Sequence, residues 1–379
     1  MSILYGNAVV GQSGGPTAAI NATLSGVIRG ALDAKAQGVI GTLYGMRNGI
    51  EGFLNENLVD LTDIFSDESK LKVLESTPAA ALGSCRKKMK SPDDDPETYA
   101  KLIEIFKKYN IRYFFYIGGN DSMDTVSKLS KYASNHDYEM RVVGVPKTID
   151  NDLMATDHTP GFGSAAKFVA TTMKEVLRDV SVYSMKAVTI VEVMGRDAGY
   201  IALQTGIATG AIGIVINEVP FDEEAMIQRI LRSKGHGRRS FVVVVSEGVK
   251  DTEGKPYGEG LTRRIEARTG VETRFNRLAH IIRGGAPTLR DRLAASMMGE
   301  AAVKLLLEGK SDMVVCERDS KIVTFGIKFA LTLDKMYKNK LKPGDLDGFN
   351  SAEIRQMETL AEMRRQEIRD MYNAALTLM

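Results

Sequence analysis

The chain has 379 residues, of which 44% are apolar and 26% are charged, and this balance is typical of a globular protein rather than a disordered or membrane-spanning one. Its length predicts two domains of about 150 to 200 residues each. The 50 basic and 48 acidic residues leave a net charge of +2, which argues against nucleic acid or an anionic membrane as a partner.

The cysteines and the N-terminal residues indicate a reducing compartment. Cys85 and Cys316 lie far apart and form no CxxC pair, which argues against a disulfide scaffold and a zinc site. Residues 1–7 lack the basic and apolar regions of a signal peptide, and no apolar run approaches about 18 residues. We therefore expect a cytoplasmic protein.

Short runs of β-branched and aromatic residues alternate along the chain with helical patterns. Their continuous hydrophobicity is typical of strands that are buried on both faces, as in a parallel sheet covered by helices. The predicted strands are 8–10, 113–117, 142–145, 188–193, 212–216 and 241–245. The sequence therefore predicts the α/β class, with two doubly wound, mostly parallel sheets.

Three segments have the apolar spacing of helices. Residues 20–31 carry apolar side chains three and four positions apart, which predicts one buried face. A second helix is predicted to begin at Pro96 with Asp95 as its N-cap, because proline fits the first helical turn. Residues 351–378 combine charges with an apolar stripe, which predicts a helix packed on the body of the protein or on a second subunit.

The first candidate ligand site follows the first predicted strand and reads Gly11-Gln12-Ser13-Gly14-Gly15-Pro16-Thr17. Glycines let a ligand approach backbone donors closely, and the free amides at the start of a following helix favour an anion. The spacing is neither that of a P-loop nor GxGxxG. A phosphate cradle at Gly11, Gly14 and Gly15 and a purely structural turn are both consistent with this stretch.

Two further polar turns also follow predicted strands. Gly118-Gly119-Asn120-Asp121-Ser122 places a carboxylate beside two glycines. Pro146 to Asp152 presents an ammonium, a hydroxyl and two carboxylates after its strand. Since the carboxyl ends of strands in an open α/β sheet meet at one crevice, we expect the three turns to converge. Lys147 would then hold an anionic phosphate while Asp150 accepts a proton, although a polar surface turn explains this last stretch equally well when it is taken alone.

Six motifs in chain order resemble the 6-phosphofructokinase family, over most of the chain from about residue 7 to residue 300. The motifs are Gly11-Gln-Ser-Gly-Gly-Pro, Gly118-Gly-Asn-Asp-Ser, Pro146-Lys-Thr-Ile-Asp-Asn-Asp, Val193-Met-Gly-Arg196, Glu272-Thr-Arg274 and His280-Ile-Ile-Arg283-Gly-Gly. The resemblance implies a phosphofructokinase-like fold. It also implies phosphoryl transfer to the 1-hydroxyl of fructose 6-phosphate, which gives fructose 1,6-bisphosphate, with magnesium present.

The resemblance also implies a role for each matching residue. Asp150 would take the proton of the 1-hydroxyl, with Thr148 beside it and Asp152 supporting the local charge. Arg86 would contact the transferring phosphoryl group. The implied substrate residues are Met194, Gly195 and Arg196 in the sugar-phosphate loop, Glu247 at the sugar hydroxyls, and Arg274, His280 and Arg283 around the 6-phosphate.

Two positions bear on the phosphoryl donor. In the family that the chain resembles, ATP-using members commonly carry glycine at the positions of Asp121 and Lys147, whereas pyrophosphate-using members carry this Asp and Lys pair. A carboxylate at 121 would occupy the place of the nucleotide's α-phosphate and repel it, and Lys147 would neutralise charge that develops on pyrophosphate. The resemblance therefore implies a reversible, pyrophosphate-dependent enzyme.

Two departures from the family pattern affect the predicted magnesium and phosphate contacts. The residue usually tied to magnesium is aspartate in the family, and here it is Asn120, a neutral ligand for a hard cation. An Asn120→Asp variant is therefore expected to need less Mg²⁺. An arginine that crosses the subunit interface in many members is replaced near Ala187, where the adjacent Lys186 would act as a less directional charge.

The resemblance also predicts an organisation in domains and subunits. Residues 1–161 with 282–332 would bind the phosphoryl donor, residues 162–281 would bind fructose 6-phosphate, and residues 333–379 would form a C-terminal helical extension. In the family Arg274 reaches the site of a neighbouring subunit, which implies a homodimer or homotetramer. Two alternative functions remain, namely an ATP-dependent enzyme of the same fold and a regulatory subunit that binds sugar phosphate without catalysis.

Overall fold

The computed structural model of the protein describes residues 3–182, 187–235 and 240–378. Within these ranges eleven strands form two sheets. The strands are β1 (Gly6–Gln12), β2 (Ile40–Met46), β3 (Leu58–Asp60), β4 (Ile111–Gly118), β5 (Arg141–Pro146), β6 (Ala187–Val193), β7 (Gly213–Val215), β8 (Ser240–Ser246), β9 (Glu272–Arg277), β10 (Met313–Arg318) and β11 (Lys321–Gly326).

The same ranges contain thirteen α-helices and one 3₁₀-helix, Ala279–Arg283. The helices are α1 (Ile20–Ala36), α2 (Gly49–Leu54), α3 (Leu61–Ile64), α4 (Glu68–Ser76), α5 (Pro96–Lys108), α6 (Asn120–Asn135), α7 (Phe162–Ser181), α8 (Tyr200–Thr209), α9 (Glu223–Gly235), α10 (Tyr257–Thr269), α11 (Leu289–Leu307), α12 (Ile327–Tyr337) and α13 (Ser351–Leu378). None of these helices is both long and apolar enough to cross a membrane.

Both sheets are mostly parallel, which confirms the predicted α/β class. The first sheet has the strand order β11-β10-β5-β4-β1-β2-β3. Its five inner strands pair in parallel, and the edge strands β3 and β11 pair antiparallel to β2 and β10. The second sheet, β7-β8-β6-β9, is parallel throughout.

Alternate residues of the central strands face two different apolar cores. Val9 and Phe114 belong to one buried cluster, whereas Val10 and Phe115 belong to a second. Because successive strand residues point to opposite faces, each face of the first sheet is covered by helices. The continuous hydrophobicity of β1 and β4 in the sequence therefore reflects burial on both sides. In the second sheet, Val243 packs with residues of α9 and α10 in a third cluster.

The predicted helices are present, with one correction. Residues 20–31 lie in α1, and α5 begins at Pro96 as expected. Asp95 occupies the N-cap position of α5, but its side chain forms no capping hydrogen bond with the described residues, and its backbone has φ −148° and ψ 58°. The proline at the first helical position carries no N–H and has its φ already fixed for a helix, so it starts α5 without a side-chain cap.

The chain divides into two compact units. The first unit contains residues 1–148, 153–161 and 286–361, and the second contains residues 149–152, 162–285 and 362–379. The predicted C-terminal extension, 333–379, is not a unit of its own in this division. Its first part shares a core with the first unit through Met357, and Tyr372 Oη donates to Ile214 O at 3.2 Å in the second unit.

Candidate active site

In the first unit, three polar turns lie at the carboxyl ends of adjacent strands. β1 pairs with β2 on one side and with β4 on the other, so the strand order reverses there. Ligands bind at such switch points in open α/β sheets. Ser13 N donates to Ile117 O at 2.9 Å, and Lys147 N donates to Gly118 O at 3.0 Å. Backbone hydrogen bonds therefore join the turns that follow β1, β4 and β5.

Lys147 lies against the glycine turn that follows β1. Its side chain is buried, and a Cβ built on Gly14 would lie 3.1 Å from its Nζ. Gly14 has φ +79°, a conformation that glycine adopts without strain. Its N–H donates to Cys85 O at 2.9 Å, which places the exposed Arg86 next in the chain to this turn. Gly14 thus leaves room for an ammonium group beside the backbone.

The structure corrects one part of the predicted phosphate cradle and adds a packing role for one of its glycines. Gly11 lies within β1, where a Cβ would approach Met46 Cε to 2.4 Å, so core packing favours a glycine here, and its contact with a ligand stays a prediction. The helix after the turn begins only at Ile20, so its free amides are not next to the half-buried Gly15. The helix N-terminus at this sheet edge belongs instead to α6, whose N-cap is Gly119.

Asp121 lies in the first turn of α6, and its side chain is 64% exposed. Lys88 Nζ lies 3.1 Å from Asp121 Oδ1, and this hydrogen bond raises the pKa of Lys88. The sequence assigns no role to Lys88, because nothing in the local pattern links it to position 121. The structure therefore adds a cation beside one of the two residues expected to choose the donor.

Asn120 is the first residue of α6, and its side-chain amide is engaged by α12. Asn120 Nδ2 donates a hydrogen bond to Asp334 Oδ2. Within residues 3–182, 187–235 and 240–378, no group of three or more His, Cys, Asp and Glu side chains is placed to hold a metal ion. Mg²⁺ needs fewer protein ligands, because it keeps waters and binds substrate phosphates. The oxygen donors of Asn120 and Asp121 fit such a cation.

Asp150, in the second unit, is a buried carboxylate next to arginines. Burial raises its pKa from the ordinary value of 3.8 to about 6, and the charge of Asp152 acts in the same direction. Arg196 and Arg283 lower the pKa, and Arg196 Nε lies 3.8 Å from Asp150 Oδ2. A carboxyl group with a pKa near neutrality suits proton transfer.

Thr148 and Asp152 flank Asp150 in the chain, with different environments. Thr148 belongs to the first unit, where its carbonyl accepts from Thr159 Oγ1 at 2.8 Å and where it forms a β-bridge with Gly161. Asp152 is half-buried in the second unit. The single turn Pro146 to Asp152 therefore supplies Lys147 and Thr148 to one unit, and the carboxylates to the other.

Glu247 fixes the loop that follows β6. Its Oε1 accepts hydrogen bonds from Gly195 N at 3.2 Å and from Arg196 N at 3.0 Å. Gly195 has φ +154°, and a Cβ there would lie 2.2 Å from Ala198 O. This position therefore requires glycine. One oxygen of Glu247, predicted to bind sugar hydroxyls, is thus already used to hold the loop.

The second unit contains a cavity of about 530 Å³ at the carboxyl ends of its strands. Four of the predicted substrate residues line it, and the sequence analysis missed most of the others. The lining residues are Glu192, Val193, Met194, Arg196, Asp197, Glu247, Gly248, Lys250, Pro256, Arg277, Ala279 and His280. Two arginines, one lysine and one histidine line the cavity together with three carboxylates, and these guanidinium and ammonium groups are the kind of donors that bind a phosphorylated ligand.

Arg274 and Arg283 are not among these lining residues in the described chain. Arg274 Nε lies 2.9 Å from Glu272 Oε1, and its Nη1 lies 3.6 Å from Asp179 Oδ2. Arg283 lies at the end of the 3₁₀-helix, and its positive charge lowers the pKa of Asp150. Of the predicted 6-phosphate residues, His280 therefore lines the described cavity, whereas Arg274 and Arg283 do not. Lys186, the further predicted cation, lies outside the described residues.

Arg277 is the cavity residue that sequence analysis missed most clearly. Its Nε donates to Glu192 Oε1 at 2.6 Å, and its Nη2 to Glu259 Oε1 at 2.9 Å. Glu192 is buried near the carboxyl end of the mostly apolar strand β6. A buried carboxylate requires a partner, so this glutamate inside an apolar run was the signal for a cation on the neighbouring strand.

Comparison with known proteins gives three kinds of similarity. The phosphofructokinase family model matches residues 7–306. The chain is 42% identical over 276 residues to a pyrophosphate–fructose 6-phosphate 1-phosphotransferase of Methylococcus capsulatus, a match that covers 70% of the chain and 64% of that protein. It is 33% identical over 344 residues to an ATP-dependent 6-phosphofructokinase of Clostridium botulinum, with 90% and 97% covered.

One solved structure has a fold similar to that of the chain. The crystal structure of a pyrophosphate-dependent phosphofructokinase from Marinobacter aquaeolei matches with a TM-score of 0.75 and 36% identity, and the match covers 85% of the chain and 83% of that protein. The chain spans less than two thirds, 64%, of the length of the Methylococcus relative.

Proposed function

The chain belongs to the phosphofructokinase family, and on that premise we propose that it transfers a phosphoryl group reversibly from pyrophosphate to fructose 6-phosphate. In the forward direction the 1-hydroxyl oxygen forms a bond to one phosphorus of pyrophosphate. The bond from that phosphorus to the bridging oxygen breaks, and inorganic phosphate leaves. Asp150 takes the proton of the hydroxyl, and the other product is fructose 1,6-bisphosphate.

The environment of Asp150 supports its role as the general base. With a pKa of about 6, the carboxylate is largely ionised at neutral pH and yet is basic enough to accept a proton in the transition state. Arg196, at 3.8 Å, keeps the charged form accessible in spite of the burial. Burial and the arginine thus act in opposite directions, and together they hold the pKa just below neutrality.

The choice of donor rests on Lys147, and its position against Gly14 is the observation that carries the proposal. A buried ammonium beside a glycine turn provides a concentrated positive charge for a small, highly charged anion. Asp121 stands at the start of α6, where it would oppose the extra phosphate of a nucleotide. We propose that the first unit binds the donor and that the second unit binds the sugar phosphate.

Magnesium belongs to the proposed donor complex. Asn120 Oδ1 and Asp121 would hold the ion or its waters, together with oxygens of pyrophosphate. When bound, the ion neutralises charge on the transferring phosphate. The contribution of the protein is to hold these oxygens at the N-terminus of α6, which also favours the anionic donor.

In the second unit, the cavity next to β6 is the proposed sugar-phosphate site. Arg196 and His280 line it, and Arg277 adds a cation that the motifs did not indicate. Glu247 contributes by holding the loop at Gly195 and Arg196 in place. We propose that Arg283 binds the 6-phosphate, and its positive charge also lowers the pKa of Asp150.

Steady-state rates with fructose 6-phosphate and either donor test the proposal directly. We expect turnover with pyrophosphate and little with ATP, and ATP turnover equal to or above pyrophosphate turnover would overturn the donor assignment. A double variant, Asp121→Gly with Lys147→Gly, should admit ATP and weaken the use of pyrophosphate. Because Lys147 is buried, Lys147→Met serves as a control that removes the charge while it fills much of the space.

An ATP-dependent enzyme is the nearest alternative, and one observation favours it. The Clostridium relative is matched over 97% of its length, whereas the Methylococcus relative has the higher identity. The donor therefore depends on the residues at 121 and 147 rather than on overall similarity. A regulatory subunit is favoured only by Asn120, and stabilisation by fructose 6-phosphate without turnover on either donor would support it.

We also propose a homodimer or homotetramer in the cytoplasm. Arg274 supports the oligomer, since it is not among the described residues that line the cavity and it matches the family residue that reaches a neighbour. Analytical ultracentrifugation that finds a monomer at micromolar concentration would contradict the proposed oligomer. Cys85 and Cys316 are buried free thiols, which is compatible with a reducing compartment.

A further inference from the structure

Asp334 on α12 is a buried carboxylate that accepts hydrogen bonds from Asn120, at the start of α6, and from the segment after Asp152. It is 5% exposed and lies outside residues 7–306, the part that the family model matches. Its Oδ2 accepts from Asn120 Nδ2, and its Oδ1 accepts from Met154 N at 2.8 Å. Lys338 Nζ, one turn later on the same helix, lies 3.6 Å from Oδ2. One side chain therefore joins α12 to the start of α6 and to the segment after Asp152.

We propose that Asp334 is a positioning residue for the donor and its magnesium ion, acting through Asn120. This inference rests on the proposed function, because it assumes that the start of α6 meets the donor. An ionised carboxylate only accepts hydrogen bonds, so it fixes the Asn120 amide with its nitrogen towards α12. The amide oxygen is then the atom that remains to face a cation or a water bound to it.

The charge of Asp334 compensates for the neutral side chain at position 120. Asn120 is the first residue of α6, and the positive end of a helix dipole disfavours a cation there. The hydrogen bond to Asp334 polarises the amide towards its oxygen, although Lys338, 3.6 Å from the same carboxylate oxygen, offsets part of the negative charge. Carboxylates behind metal-bound histidines act in the same way, by orienting the ligand and making it a stronger donor.

This contact changes what the sequence predicted for Asn120→Asp. An aspartate at 120 would place a second carboxylate at hydrogen-bond distance from Asp334 in a mostly buried place. Like charges at this distance repel each other strongly. We therefore expect the single variant to have a lower thermal midpoint at pH 7 rather than simply a lower need for Mg²⁺. The exchange variant Asn120→Asp with Asp334→Asn keeps one amide and one carboxylate, with the hydrogen bond reversed.

The experiment measures Mn²⁺ binding as well as turnover. Free Mn²⁺ is followed by electron paramagnetic resonance while the ion is titrated into enzyme with pyrophosphate and no sugar phosphate, so that no transfer occurs. Asp334→Asn should weaken binding by about 10-fold, since partners behind metal ligands typically contribute 10- to 100-fold. It should raise the Mg²⁺ concentration for half-maximal rate by a similar factor, with kcat at saturating Mg²⁺ close to that of the wild type. The exchange variant should regain wild-type binding or better.

Asp312→Asn is the matched control. Asp312 is another partly buried carboxylate of the first unit, just before β10, and the same substitution there should leave Mn²⁺ binding unchanged. The proposal is overturned if Asp334→Asn binds Mn²⁺ like the wild type, or if the exchange variant binds no better than Asn120→Asp alone. A wild-type enzyme that turns over ATP and not pyrophosphate would instead refute the donor assignment. The Mn²⁺ titration is then made with ATP, and the same outcomes decide the role of Asp334.

Discussion

Two carboxylates with proposed roles, one in each unit, have opposite surroundings. Asp121 in the first unit is 64% exposed and lies 3.1 Å from Lys88, whereas Asp150 in the second is 9% exposed and lies 3.8 Å from Arg196 Nε. Water screens the exposed charge, so Asp121 acts mainly on anions that approach it. Burial raises the pKa of Asp150 to about 6, so its environment controls a proton.

The comparison shows that two aspartates are suited to different tasks because one is exposed and the other is buried. Specificity for a donor needs a charge that is always present and can repel the wrong ligand. A general base needs a charge that can be lost and regained near the working pH. The three experiments below test these different roles of Asp121 and Asp150.

The largest effect is expected for Asp150→Asn. The amide keeps the shape of the side chain but cannot accept the hydroxyl proton, so kcat should fall by about 10² to 10⁴. The KM for fructose 6-phosphate should change much less, because binding does not need the proton transfer. Initial rates with pyrophosphate measure both constants. A kcat within tenfold of the wild type would show that Asp150 is not the base.

Asp152→Asn is the control for this variant, since it removes a neighbouring carboxylate without removing the base. The charge of Asp152 raises the pKa of Asp150, so its loss should move the acid limb of kcat/KM to lower pH. The wild-type limb should lie near pH 6, with activity lost as the pH falls. Most of the rate at pH 8 should remain in Asp152→Asn.

A smaller effect is expected on stability as the pH changes. The pKa of Asp150 rises from 3.8 to about 6 on folding, so the folded protein binds this proton more tightly than the unfolded chain. The resulting stabilisation is fully present below about pH 4 and is lost as the pH rises through 6, and it amounts to about 3 kcal/mol. Asp150→Asn should therefore be more stable than the wild type at pH 7 and nearly equal to it at pH 4.

Urea unfolding at the two pH values measures this difference. The comparison uses Asp121→Asn as a second variant, because an exposed carboxylate should give the same difference from the wild type at both pH values. If Asp150→Asn is equally or less stable than the wild type at pH 7, then burial of its charge does not carry the expected cost. That result would also remove the physical basis for a pKa near 6.

Local patterns in the sequence predicted part of this arrangement. The turn that holds Lys147 and Asp150 follows directly after a strand, so the hydrophobic run and the turn residues were enough to find it. The bond between Asn120 and Asp334 joins residues 214 apart, and the pair of Arg277 and Glu192 spans 85. No local pattern encodes such pairs.

Glycine was ambiguous in a different way. Gly11 and Gly14 belong to one motif, but a Cβ at the first would meet the side chains of Met46 and Tyr116, whereas the second has a positive φ and lies against Lys147. The sequence records only that a side chain is absent at each position. It does not record whether a ligand, a core side chain or the backbone conformation requires the absence, and three-dimensional packing decides this.

The smallest effect is expected for Lys88→Met, which sharpens the comparison from the exposed side. An ion pair exposed to this degree contributes about 1 kcal/mol or less, so the free energy of unfolding should change by no more than that. Without Lys88 the charge of Asp121 is less compensated and repels pyrophosphate more strongly. The KM for pyrophosphate should rise by about two- to fivefold at low salt, and the rise should shrink as salt screens the charge.

Lys90→Met, which removes an exposed lysine two residues further along the chain, should show no such rise. In an Asp121→Asn background, Lys88→Met should also have no effect on this KM, and a rise that persists there would mean that Lys88 binds the donor directly rather than through Asp121.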